Sequence, residues 1–187
     1  MLASNRSTFV KRATEAHLPQ ILTIFNHYVE HTFASFHLTT QRLSAVQQSF
    51  RDAQSNGLPY LVLCKVASSS ESGEEVLGYT YASPFRWERQ GYAGTVELSL
   101  FLALSVTGKG HGSTLLTALL DNLKNMKAEG REIREVLANM AVDPGRDATS
   151  FYLREGFVEV GHFRRVGRKF GRWVDIRWFQ KSLVDDE

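Results

Sequence analysis

Apolar positions along the chain change period several times, and each change marks an element. Between residues 16 and 32, Leu18, Ile21, Leu22, Phe25, Tyr28 and Val29 recur at three- and four-residue intervals, which predicts an amphipathic helix. Residues 39–57 (TTQRLSAVQQSFRDAQSNG) predict a second helix that stops at Asn56-Gly57. Runs rich in β-branched and aromatic residues predict strands at 9–14, 58–67, 74–85 and 94–104. The last of these, GTVELSLFLAL, has the length and apolar density of a central strand. Helical spacing returns in STLLTALLDNLKNMKAEG (113–130), which ends at Gly130. REVLANMAV (134–142) predicts a strand and DATSFYLREG (147–156) a short helix stopped by Gly156. FVEVGHFRRVG (157–167) and WVDIRWFQKSL (173–183) close the chain as two strands around a basic, glycine-containing turn. The polar stretch at 67–75 (ASSSESGEE) predicts a flexible hairpin loop. The order is therefore β-α-α-β-β-β-α-β-α-β-β, an α/β pattern with no internal repeat, no linker and one domain over residues 1–187.

Composition narrows the function classes. The 187 residues suffice for a sizeable core, and 43% hydrophobic with 22% charged residues reads as globular. A net charge of +2 is too small to argue for nucleic acid, so the basic run at 164–172 is taken as a solvated hairpin face. No apolar run is long enough to span a membrane, and none near the start resembles a secretory signal. The single cysteine, Cys64, sits in the apolar run YLVLC and is expected in the core. These features lead us to expect a cytoplasmic protein without nucleic-acid or membrane partners.

The segment TGKGHGSTLL (107–116) stands out. It joins the end of a predicted strand to the start of a long helix, where unpaired N–H groups and the helix dipole favour an anion. Gly108, Gly110 and Gly112 allow a ligand to approach the backbone, and Lys109 adds a full charge. Such a turn by itself also serves as a plain tight turn. The nucleotide P-loop spacing and the dinucleotide Gly-x-Gly-x-x-Gly fingerprint are both absent.

Taken with its preceding strand and the downstream FYLREGF, this turn resembles that of the Gcn5-related N-acetyltransferases. The resemblance is closer to one branch, the phosphinothricin acetyltransferase-like enzymes. It is carried by RATEAHLPQILTIFNHYVEHT, PFRWERQGYAGTVE, GHGSTLLTALLDNLK and GRKFGRWVDIRWFQKSL, in order, from about residue 8 to 183. The resemblance implies a central mixed, mostly antiparallel sheet of six to seven strands flanked by helices on both faces. It also implies acetyl-coenzyme A as cosubstrate, a small-molecule amine as acceptor, and the homodimers common among relatives. The cofactor would be held by the segment Thr107, Gly108, Lys109, Gly110, His111, Gly112 and Ser113, with Leu100, Phe101, Leu102 and Asn139. Thr107 departs from the Arg or Gln usual there, Leu104 from a common proline, and Gly145 from a common Asn.

Acetyl transfer to an amine needs a base for the ammonium, a polarised carbonyl and a proton for the departing thiolate. Glu97, an acid inside the apolar run TVELSLFL, is the candidate base. Backbone N–H groups of residues 98–102 would polarise the carbonyl. Tyr152 in SFYLREGF matches the tyrosine that relatives place near the sulfur. Arg86, Arg89, Tyr92 and Thr95 precede Glu97 closely, and an arginine fork there suits the carboxylate of an amino-acid analogue such as phosphinothricin, methionine sulfoximine or methionine sulfone. Trp87 is a candidate pocket wall. A peptide or other amine as acceptor, and a catalytically silent binding module, remain open alternatives. His27 and His31 have metal-ligand spacing but no evident third ligand, and no metal is expected.

Overall fold

Each period change becomes a boundary in the computed structural model, which describes residues 8–66, 73–143 and 148–184. Strand β1 (Thr8–Arg12) leads through a 3-10 turn into α1 (Leu18–His31) and α2 (Leu43–Ser55). Then follow β2 (Tyr60–Val66), β3 (Glu74–Pro84), β4 (Thr95–Leu102), α3 (His111–Asn125) and β5 (Glu135–Ala141). A short α4 (Thr149–Arg154) precedes the hairpin of β6 (Val158–Lys169) and β7 (Arg172–Ser182). The strands form one sheet in the order β1-β2-β3-β4-β5-β7-β6.

Side-chain alternation sends each strand to two cores. On one face Leu116, Leu119 and Leu123 of α3 pack with Val96, Leu98 and Val136, and Leu115 with Leu63, Leu77 and Leu102. On the other, α1 and α2 cover Tyr60, Val62 and Tyr79. Cys64 is fully buried there. His17, at the head of α1, is also buried; its Nδ1 accepts the Thr14 amide at 2.9 Å and its Nε2 lies 3.0 Å from a Glu74 carboxylate oxygen. The predicted loop at 67–75 is shortened at its C-terminal end. Glu74 and Glu75 already pair with Val66 and Lys65 in β3, because Lys11 and His17 hold the Glu74 carboxylate against the sheet. Residues 67–72 lie outside the described residues.

One junction in the sheet differs from the rest. All pairings are antiparallel except β4 with β5, which is parallel and spans only Thr95–Glu97 against Glu135–Leu137. Strand β4 continues to Leu102 along β3 alone, so a gap opens between β4 and β5 beyond Glu97. No helix among the described residues is long and apolar enough to cross a membrane.

Candidate active site

The gap is the floor of a cleft of about 690 Å³. Backbone parity decides what β4 offers to it. The Phe85 amide bonds to the Thr95 carbonyl and the Ala103 amide to the Leu77 carbonyl, so odd-numbered residues of β4 direct their backbone towards β3. The Glu135 amide bonds to the Gly94 carbonyl, so even-numbered residues direct theirs towards β5. Leu98 sits at the end of the pairing with β5. Leu100 and Leu102 lie beyond it, and their amides face the gap. Phe101, expected to contribute an amide, turns it into the β3 ladder instead; its ring packs on Phe25 and Tyr28 on the opposite face. The Tyr28 hydroxyl, buried in the fold, donates to the Leu102 carbonyl at 2.7 Å and closes the lip of the gap.

Thr107, Gly108, Gly110, Gly112 and Ser113 line the cleft at the start of α3. Gly108 and Gly110 take φ of 72° and 82°, a left-handed backbone that glycine adopts without cost. Gly110 is the residue that caps α3, and no atom lies within 4 Å of where a Cβ would sit on it. The amides of His111, Gly112 and Ser113 belong to the first turn, where an α-helix leaves them without internal acceptors. The Ser113 hydroxyl donates to Glu155 at 2.5 Å and so ties α3 to the end of α4. One expected contact differs: Lys109 folds back so that Nζ donates to the Ser105 carbonyl at 2.8 Å, and Lys109 does not line the cleft. Arg154, which no sequence motif singled out, does line it.

Glu97 stands where the strands part. Burial pushes its carboxyl pKa up, opposed by a hydrogen bond from Asn139 Nδ2 at 2.5 Å. Asn139 is therefore brought to Glu97 rather than to the glycine turn. Tyr152 is buried and stacks on Phe179 at 5.1 Å, and burial raises its hydroxyl pKa to about 12. It lines the same cleft as Glu97 and stays protonated at neutral pH.

The expected arginine clamp is not assembled within the chain. Arg86 lies over the rings of Phe85 and Tyr92, at 5.3 and 5.8 Å, and Arg89 is exposed. Neither lines the cleft, nor do Tyr92 and Thr95, and Trp87 is 75% exposed. Arg86, Trp87, Arg89 and Tyr92 belong to the connection between β3 and β4, and Thr95 is the first residue of β4, paired with Glu135. His27 and His31 stack at 4.5 Å and join no three-ligand group among the described residues. His17, Cys64 and Glu74 do cluster. However, His17 Nδ1 accepts an amide proton, so Nε2 carries the ring proton and donates to Glu74, leaving no lone pair for a metal. Gly145 lies outside the described residues.

The comparisons agree with this geometry. The model of the acetyltransferase (GNAT) domain matches residues 11–178. A phosphinothricin N-acetyltransferase of Streptomyces coelicolor is 32% identical over 93% of this chain and 95% of its own length. An L-methionine sulfoximine/L-methionine sulfone acetyltransferase of Pseudomonas aeruginosa is 34% identical over 95% of each. The crystal structure of a GNAT superfamily phosphinothricin acetyltransferase from Sinorhizobium meliloti, in complex with AcCoA, superposes with a TM-score of 0.81 at 28% identity, covering 94% of this chain and 88% of that one. With the acetyltransferase-domain match over most of its length, the chain belongs to the GNAT acetyltransferase family.

Proposed function

We propose that this protein transfers acetyl from acetyl-coenzyme A to the α-amine of a small amino-acid analogue of the phosphinothricin, methionine sulfoximine or methionine sulfone type. The observation that carries the reading is that Glu97, with its raised pKa, shares one cleft with the open glycine turn and Tyr152. The names of relatives at 32 and 34% identity support the acceptor class.

The residues present suit the cosubstrate. Gly108 and Gly110 leave open space beside the start of α3, where backbone amides can receive a pyrophosphate. Thr107 lacks the Arg or Gln usual at this position in the family, and Arg154, which lines the same cleft, can supply a positive charge. When bound, the cosubstrate supplies an activated acetyl group. Glu97 takes a proton from the acceptor ammonium, directly or through water, and frees the attacking lone pair. The Leu100 amide, beyond the β4–β5 pairing, donates to the carbonyl oxygen as charge develops on it. Tyr152 donates its proton to the departing sulfur.

Release of free thiol in an acceptor screen tests the reading. The expected result is turnover with methionine sulfone, methionine sulfoximine or phosphinothricin, and a loss of roughly 10²–10⁴-fold in kcat at neutral pH for Glu97→Gln. Turnover only with peptide N-termini or polyamines would leave the family and remove the acceptor class.

A further inference from the structure

Strand β3 buries one hydroxyl in an otherwise apolar layer. Thr80 is 0% exposed. Its neighbours Tyr79 and Tyr81 pack under α1 and α2, and Ala82 joins the core beneath α3, so alternation turns Thr80 towards α3. A buried hydroxyl needs a partner, and this one lies 2.8 Å from the Ser99 carbonyl of β4. A carbonyl only accepts, so the hydroxyl donates. That oxygen already has a partner. Register sets Tyr81 opposite Ser99, and parity makes them a pair that exchanges amide–carbonyl bonds, like Phe85 with Thr95. The Ser99 oxygen therefore accepts from the Tyr81 amide and the Thr80 hydroxyl together. The other end of the same peptide unit is the Leu100 amide. The unit is trans, so its C=O and N–H point in opposite directions. One end meets two donors on β3, and the other faces the gap beyond the β4–β5 pairing.

We propose that Thr80 is a positioning residue for acetyl transfer: its hydroxyl polarises and aims the Ser99–Leu100 peptide, so that the Leu100 amide meets the thioester oxygen as a stronger donor. The proposal rests on that amide being the donor to the acetyl carbonyl. A hydrogen bond accepted by an amide oxygen draws charge along the C–N bond and makes the attached N–H a better donor. Such cooperative strengthening is about 10–30% per bond. Orientation adds to it, because beyond Glu97 the strand pairs with β3 alone, and the hydroxyl gives the peptide unit a second bond on that side. A donor to a developing oxyanion contributes about 10²–10³-fold in rate. The hydroxyl's share of that is about two- to eightfold.

Two variants separate the hydroxyl from the shape of the side chain. Thr80→Val keeps the branched side chain and removes the donor, and the Ser99 oxygen retains the Tyr81 amide, so no buried acceptor is orphaned. Thr80→Ser keeps the donor and drops a methyl group. The first readout needs no acceptor: the infrared carbonyl band of acetyl-coenzyme A, isotopically labelled at the thioester carbonyl, bound to each enzyme. The wild type is expected to lower the band relative to free acetyl-coenzyme A. Thr80→Val should give back part of that lowering, and Thr80→Ser should match the wild type. The second readout is single-turnover transfer to methionine sulfone, which Thr80→Val should slow about two- to eightfold with an unchanged Kd for acetyl-coenzyme A. A hydroxyl that merely satisfies the core would move the urea midpoint and leave band and rate in place. Wild-type band and rate in Thr80→Val, or equal losses in Thr80→Ser, would overturn the role of Thr80 and leave the acetyltransferase reading intact. A wild-type band that is not lowered would overturn the Leu100 donor and the proposal with it. If methionine sulfone is not acetylated, the acceptor class falls, and the band still decides the part played by Thr80.

Discussion

At the scale of single residues, the carboxyl of Glu97 is governed by two opposing neighbours. Loss of water raises its pKa, and the Asn139 amide, donating to the charged form, lowers it. Removing that donor leaves desolvation unopposed. Asn139→Ala should therefore move the acid limb of the kcat/KM profile to higher pH with the same acceptor, while activity well above the limb changes less. The acceptor's own amine titrates alike in both enzymes, so the displacement between the two profiles isolates Glu97. An unmoved limb would mean that another group sets it. Glu97 itself was legible in the sequence because a charge inside TVELSLFL breaks an apolar strand. Its partner was not, since Asn139 is brought to it only by the parallel pairing of β4 with β5. The same holds for Phe101. Sequence marks it as part of the strand, but which side its amide faces depends on register against β3.

Elements behave similarly: those specified by local period were readable, and those specified by contact between distant segments were not. The order of all seven strands along the chain and of the four helices follows from period and from the stops at Gly57, Gly130 and Gly156, each with positive φ. What period does not encode is the clamp between the tip of the β6–β7 hairpin and the α1–α2 connection. There Lys169, 3% exposed, donates to the Ser35 carbonyl at 2.6 Å, Phe33 meets Phe170 edge to face, and Arg172 lies over the Phe33 ring. The sequence placed this basic hairpin in solvent, yet its lysine is buried because the connection wraps over it. The clamp bears on function because Ala34, in the connection, lines the cleft. Gly167 is what lets the two segments touch: a Cβ there would fall on the Phe36 ring. Gly167→Ala should lower stability by about 1–3 kcal/mol, as overpacked sites do, and raise KM for the acceptor. Urea unfolding checks the first and steady-state kinetics the second. Adding Phe36→Ala should recover part of the loss, and strict additivity of the two changes would deny the contact.

At the scale of the whole molecule, the same opening that makes the cleft weakens the sheet. Bulges interrupt the β2–β3 and β6–β7 ladders without parting the strands, whereas β4 leaves β5 after three residues. An acid is half buried at that point, and the arginines predicted to accompany it remain on an outlying turn. The sequence could supply Arg86 and Arg89 near Glu97 in number, but not that Arg86 would lie over Phe85 and Tyr92 and Arg89 face solvent. Without a cation beside it among the described residues, Glu97 is destabilising in its ionised form. Its folded-state pKa lies above its unfolded value, so the folded chain binds more protons than the unfolded one across that interval. Stability associated with this group is therefore present below the unfolded pKa and is lost as pH rises through the folded one. Glu97→Gln removes the charge and keeps an oxygen for Asn139. The variant should unfold at a higher urea concentration than the wild type at pH 7, with the difference vanishing at a pH below the ordinary carboxylate range, even though its turnover is largely lost. Equal midpoints at pH 7, or a wild type more stable than the variant there, would show that Glu97 is held by a compensating charge and that the cleft is not the desolvated site its geometry describes.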